Sequence, residues 1–182
     1  MATNIILEKY RDYLEDLAKR HSEETFTNAG KEHASILMST LLNYTQGEAR
    51  IFCEGFKPEL ITTQPYWNSL EQYLKEDSHK LYVMVETDLY LDKEPLAYLQ
   101  RIKNNRKDDT IQVRRIKADS KDHLFVQLNT LHCNFAVFDQ DKFRLEYIPE
   151  RYQAIGSFNQ PENCGKLTQL FDNAFSQAEV LI

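Results

Sequence analysis

The sequence predicts an α/β fold: a mixed β-sheet flanked by helices, with an N-terminal helical pair in front of it. Three observations carry that prediction. Between residues 49 and 117, short apolar runs of strand length alternate with stretches of helical periodicity, the pattern of βαβ units around a parallel core. The following stretch holds consecutive strand-like runs joined by turn residues. The chain then ends in an amphipathic helix, in which Leu167, Leu170, Phe171, Ala174, Phe175 and Ala178 recur at three and four.

The elements follow in order. Residues 5–20 place Ile6, Tyr10, Tyr13, Leu14 and Leu17 at helical spacing between charges. Ser22–Lys31 is a polar break. A second helix is expected through Ile36, Leu37, Leu41 and Tyr44, stopped at Gln46-Gly47, where glycine suits a left-handed helix end. These helices, residues 1–47, read as an N-terminal element before an α/β domain over 48–182. Within that domain Ala49–Gly55 reads as a strand. Pro65 opens a helix carrying Tyr66, Leu70, Tyr73 and Leu74, since proline is tolerated in a first helical turn. Leu81–Glu86 is a strand, Pro95–Asn105 a helix with Leu96, Leu99 and Ile102 on one face, and Ile111–Lys117 an alternating strand. Leu124–Leu128, Leu131–Phe138, Lys142–Ile148 and Gln153–Phe158 are expected as further strands, with Asp139-Gln140-Asp141 as a turn.

Composition bounds the function. The 182 residues are 42% hydrophobic and 27% charged, with ten Tyr and ten Phe, enough for a packed core in one domain and incompatible with general disorder. No run approaches the roughly 20 apolar residues of a bilayer span. The opening residues carry acids and no apolar signal core, so a cytoplasmic location is expected. A net charge of −6 disfavours tight non-specific nucleic-acid binding, which depends on neutralising phosphates. The one basic concentration, Arg101, Lys103, Arg106, Lys107, Arg114, Arg115 and Lys117, reads either as a solvated face or as a nucleic-acid contact. Cys53, Cys133 and Cys164 are odd in number and widely spaced, so neither a disulfide framework nor a Cys-x-x-Cys zinc site is expected.

Familiar catalytic motifs are missing. Gly165-Lys166 lacks the first glycine of a phosphate-binding loop, and there is no His-Glu-x-x-His pair or Gly-x-Ser-x-Gly elbow. His21, His33, His79 and His123 are scattered, so no metal and no cofactor is assigned. One constellation remains: Leu131-His132-Cys133-Asn134 through Asp139, followed by Gly156-Ser157-Phe158-Asn159. On a strand, i and i+2 share a face, so His132 and Asn134 are expected together, with Cys133, Phe135 and Val137 opposite. Gly156 would allow close backbone approach, and Ser157 and Asn159 would offer a hydroxyl and a carboxamide to an anion.

In these residues the chain resembles the phospholipase D superfamily, whose signature reads His-x-Lys-x4-Asp followed by Gly-Ser-x-Asn and a C-terminal helix. His132, Asn134 and Asp139 occupy the three spaced positions, Gly156, Ser157 and Asn159 the second part. The resemblance covers residues 49–182 and implies one half-domain, paired with a second copy in a homodimer. It further implies phosphodiester cleavage, with one histidine attacking phosphorus and a second protonating the leaving oxygen. His132 would be that nucleophile or acid, Ser157 and Asn159 phosphate ligands, and Asp139 the family aspartate.

Two departures matter. Asn134 replaces the lysine, removing a cation where losing even one donor costs about 10²–10³ in rate. Sixteen residues separate Asp139 from Gly156, more than the family pattern has, although they supply Lys142, Arg144 and Arg151. The leading expectation is therefore a catalytically degenerate phospholipase D-like module that binds a phosphate-containing ligand, a nucleic acid or a larger protein partner. The alternative is an active homodimeric phosphodiesterase or nuclease working through His132, and a third reading is a structural subunit with a relict pocket.

Overall fold

A computed structural model describes residues 2–106 and 109–182. Among them, eight strands form one sheet in the order β1-β7-β6-β5-β2-β3-β4-β8. In chain order the elements are α1 (Ala2–Lys19), β1 (Phe26–Asn28), α2 (Lys31–Asn43), β2 (Glu48–Cys53), a short α3 (Pro58–Ile61), α4 (Tyr66–Tyr73), β3 (Lys80–Val85) and α5 (Leu96–Arg106). They continue with β4 (Ile111–Arg115), α6 (Ala118–Gln127), β5 (Asn134–Phe138), β6 (Lys142–Ile148), β7 (Gln153–Ser157), α7 (Pro161–Gln177) and β8 (Glu179–Val180). The fold is the expected mixed α/β sheet: β2, β3 and β4 run parallel, whereas β5, β6 and β7 pair antiparallel.

Each face of the sheet carries its own core. Ala49, Ile51, Leu81, Val83, Ile111 and Val113 point to one side and meet Leu14 and Leu17 of α1, Leu37 and Leu41 of α2, Leu70 of α4 and Leu99 of α5. Phe52, Met84, Phe135, Val137 and Phe143 point to the other side and meet Leu124 and Phe125 of α6 and Phe171 and Phe175 of α7. The two helices expected as an N-terminal element thus share the first cluster with the strands, and α2 is buried from Ala34 to Leu42. Strand alternation sorts β5 as expected, with Phe135 and Val137 in the second cluster and Ala136 and Phe138 in the first.

Several sequence expectations need correction. Leu124–Leu128 is the end of α6, not a strand; a five-residue apolar run has no period of its own, and the polar Asp119–His123 before it winds into the same helix. Leu131–His132-Cys133 precedes β5 as a bend instead of forming part of it. The break at Ser22–Lys31 contains β1, which pairs with β7, and residues 179–180 add β8 to β4. Gly47 does not adopt a left-handed φ; among the described glycines only Gly30 does, at 88° ahead of α2. The Gly47 N–H, with those of Gln46 and Glu48, instead donates to the Asp139 carboxylate. Asp139 and Gln140 themselves have φ of 51° and 68°, and Asp141 N–H closes their turn onto Phe138 O within the three-residue connection from Phe138 to its partner Lys142.

Gly156 explains a second close approach. A Cβ there would lie 2.6 Å from Phe143 O and 2.7 Å from the Phe26 ring, so only glycine lets β7 sit between β6 and β1. Gly156→Ala is expected to destabilise the protein by about 2–3 kcal/mol through overpacking against backbone, measured as a lower urea midpoint with an unchanged m-value.

Candidate functional site at the carboxyl end of β2 and β3

The sheet has two ends, and the register decides which residues share one. β5 opposes β2, so Asn134 starts where β2 finishes, and Asn134 stands directly across from Glu146 on β6. Glu146 in turn lies across from Ala154 at the start of β7. The carboxyl ends of β2, β3 and β6 and the amino end of β5 therefore form one rim, the position at which open α/β sheets take ligands.

On this rim Asn134 is fully engaged. Its Oδ1 accepts from Glu54 N at 3.1 Å, and its Nδ2 donates to Glu146 Oε2 at 2.5 Å. The other oxygen of Glu146 accepts from Arg144 Nη2 at 2.6 Å. Glu146 and Arg144 are only 2% and 4% exposed, so this is a buried, hydrogen-bonded ion pair. His132, 34% exposed, sits between two carboxylates: Nε2 lies 3.6 Å from Glu86 Oε1 and Nδ1 lies 3.6 Å from Glu150 Oε1. The other Glu86 oxygen pairs with Lys121 at 3.1 Å. Lys57 pairs with Glu54 at 2.5 Å. Lys57, Lys121 and Arg144 on this rim thus each already have a carboxylate, whereas Arg151, next to Glu150, is exposed.

The remaining sequence candidates lie at the opposite end. Asp139 terminates β5 and caps three successive backbone N–H groups, with Lys142 Nζ 3.2 Å from it. Ser157 is paired with Phe143, near that same turn, and Gln160 N–H donates to Asp141 O at 2.8 Å. Ser157 Oγ donates to Ser22 O and accepts from Asn159 N. The strand between His132 and Asp139 spans roughly 20 Å at about 3.3 Å per residue. The structure thus brings His132 and Asn134 together and leaves Asp139, Ser157 and Asn159 as a separate turn-end cluster. The strand following the turn, β6, supplies the neighbour of Asn134, and the long β6–β7 connection carries the Gly-Ser-x-Asn segment one strand further away.

What sequence reasoning missed are Glu54, Glu86, Glu146 and Glu150. The Arg144-x-Glu146 alternation on β6 was a visible signal, since i and i+2 share a face. The basic concentration is largely spent internally. Arg106 donates to the carbonyls of Leu74, Glu76 and His79, Arg114 to Phe175 O, Arg115 pairs with Asp88 and Glu179, and Arg101 with Glu94. Lys107 lies outside the described residues. No helix among the described residues is long and apolar enough to cross a membrane, and no group of three or more His, Cys, Asp or Glu among them could hold a metal ion.

Against this geometry stand the comparisons. No protein-family model and no curated protein sequence matches the chain. Solved structures do. TrmBL2, an archaeal chromatin protein whose structure shows a mode of DNA binding, matches with TM-score 0.58 at 14% identity, over 99% of this chain and 63% of that one. The chain therefore spans less than two thirds of TrmBL2. Nuc from Salmonella typhimurium, a phospholipase D family member, matches with TM-score 0.59 at 12% identity, over 87% of this chain and 99% of its own. NucT from Helicobacter pylori matches with TM-score 0.57 at 10% identity, over 87% and 100%. The fold is phospholipase D-like, and at these identities the likeness is one of fold.

The thiols add a boundary on the chemistry. Burial pushes Cys53, Cys133 and Cys164 up from an ordinary 9.0 to about 12, so none is a thiolate nucleophile at neutral pH. An unfolded thiol gives up its proton near 9, a folded one near 12. Its contribution to stability is therefore complete below pH 9 and is lost as pH rises towards 12. Thermal melts are expected to show a falling Tm between pH 9 and 12. At pH 8, thiol labelling of the native protein should run at least about tenfold slower than in urea.

Proposed function

We propose that the protein is a phospholipase D-like binding module without phosphodiesterase turnover, its ligand or partner site being the rim around His132 and Asn134. The observation that carries this reading is the charge balance of the rim. Where the resembled motif would set a lysine, Asn134 is bonded to Glu146, and Glu86 and Glu150 flank the histidine at 3.6 Å each. A phosphodiester entering beside His132 would meet carboxylates at short range, while Lys57, Lys121 and Arg144 are already paired with carboxylates. Stabilising the charge that gathers on the non-bridging oxygens is the principal task of such a site, and this rim is arranged against it. The turn-end residues Ser157 and Asn159 do not compensate, because they lie at the opposite end of the sheet, where the Ser157 hydroxyl is already taken by Ser22 O and the Asn159 backbone N–H.

The second reading, an active homodimer, is favoured by one observation: the chain matches Nuc and NucT over 99% and 100% of their lengths. It requires His132 to leave its two carboxylates and meet its counterpart from a second copy. The DNA binding of TrmBL2 suggests nucleic acid as an alternative partner, but the paired state of Arg101, Arg106, Arg114 and Arg115 argues against a basic contact face. Hydrolysis of bis(p-nitrophenyl) phosphate and of single-stranded DNA in EDTA separates these readings. Wild type and His132→Ala are expected to give the same background rate. Activity in wild type that disappears in His132→Ala would overturn the proposal and establish the homodimeric enzyme.

A further inference from the structure

Next to Asn134, Arg144 and Glu146 the protein holds a cavity of about 80 Å³. Its walls are largely apolar: Met38 of α2, Ile51 of β2, Phe56, Ile61 and Ala136 of β5 all line it. At one side stand Tyr66 and the Arg144–Glu146 pair. A water needs about 10–15 Å³ of such space, so the cavity has room for about five to eight water-sized groups.

Two polar atoms of this lining are buried without a partner. Tyr66 is 1% exposed and its hydroxyl makes no hydrogen bond; Arg144 is 4% exposed and its Nε–H donates to nothing. Each such group left unpaired keeps the cost of its desolvation. Both can donate, so an acceptor brought between these walls would find an idle donor. The charge there is already balanced, since Arg144 lies 2.6 Å from Glu146. An added anion would face Glu146 and Glu54, and an added cation would face Arg144. Apolar walls, two idle donors and a compensated ion pair together describe an uncharged guest. The backbone agrees with a built site, because the lining residues Phe56 and Tyr152 hold left-handed φ of 49° and 53°, a cost that bulky residues bear only where the surroundings impose it.

We infer that this cavity binds a small neutral organic molecule, one carrying a carbonyl- or ether-type acceptor on a compact apolar body. The assignment rests on reading the rim as a binding site and deepens it by naming the ligand's chemical class. Cyclopentanone is a suitable probe, with a single acceptor and an apolar ring of fitting size. In ¹³C-methyl NMR titrations it is expected to shift the methyl signals of Met38, Ile51 and Ile61 saturably, leaving those of exposed Val126 and Leu131 unmoved. Tyr66→Phe is expected to weaken binding about 5- to 10-fold, one hydrogen bond's worth. Ala136→Val, which fills the cavity from β5, should abolish the shifts, with spectral dispersion reporting that each variant is folded. Cyclopentanecarboxylate at pH 7 should bind at least about tenfold more weakly, since a charged group would enter beside Glu146.

Uniform shifts across surface and cavity methyls, equal binding of the carboxylate, or a Tyr66→Phe affinity equal to wild type would each overturn the inference. So would an absence of shifts, leaving a cavity that takes water only. Failure here is distinct from failure of the proposed function. Phosphodiester turnover would sink the binding-module reading while leaving the methyl shifts in place, and missing shifts would sink the ligand assignment whatever the hydrolysis assay gives.

Discussion

On β6, the residues Lys142, Arg144 and Glu146 alternate with Phe143 and Leu145, and all three charged side chains are buried. Desolvating such groups is tolerable only if each finds partners of good geometry. Arg144 finds Glu146, Glu146 also takes Asn134, and Asn134 reaches across to the backbone of Glu54. That chain ties β6 to β5 and β5 to the end of β2, and so holds the register of the antiparallel half against the parallel half. Lys142 is held in the same way at the other end, between Asp139 and Asp141. Removing one member of the chain would strand a buried charge, a loss of about 3–5 kcal/mol in comparable cases.

The same constraint shapes the candidate site. Because Asn134 is committed to Glu146 and Glu54, it is a structural strut as much as a rim residue, and its carboxamide has little left to offer a ligand. His132 stands just outside the strand, with one flank on Glu86 and the other on Glu150. Its ring also lies edge-on to Phe125, 6.2 Å between centroids. Beside it Leu131 is 96% exposed. The histidine is thus half-exposed, and its neighbours are anionic and apolar.

Much of the fold was legible in the chain because its signals are local and periodic. The βαβ stretch, the turn at Asp139-Gln140 and the last helix each announce themselves within a few residues. Leu124–Leu128 misled because a short apolar run satisfies strand and helix alike, and burial of α6 against α7 decided it. β1 and β8 were hidden because strands of three and two residues carry no pattern; they exist only through their partners. On β6 the alternation Lys-Phe-Arg-Leu-Glu reads as a strand with one face in water, whereas α1, α2 and α4 cover that face. At the site, spacing joined His132, Asn134, Asp139, Ser157 and Asn159 in one constellation, whereas His132 lies just before β5 and the last three lie at the other end of the sheet. Motif spacing holds no record of which end of a sheet a residue occupies, and the long connection from Asp139 to Gly156 put the second part of the pattern on β7 instead of β6.

The exclusion of phosphate from His132 by the rim carboxylates is tested most directly by titrating inorganic phosphate while following the His132 ring signals by NMR at constant pH and ionic strength. The wild-type ring is expected to show no saturable shift at millimolar phosphate. The Glu86→Gln/Glu150→Gln variant, with both flanking charges removed, should acquire one. A saturable shift in the wild type that vanishes in Asn134→Ala would instead place a working phosphate site beside His132 despite the carboxylates.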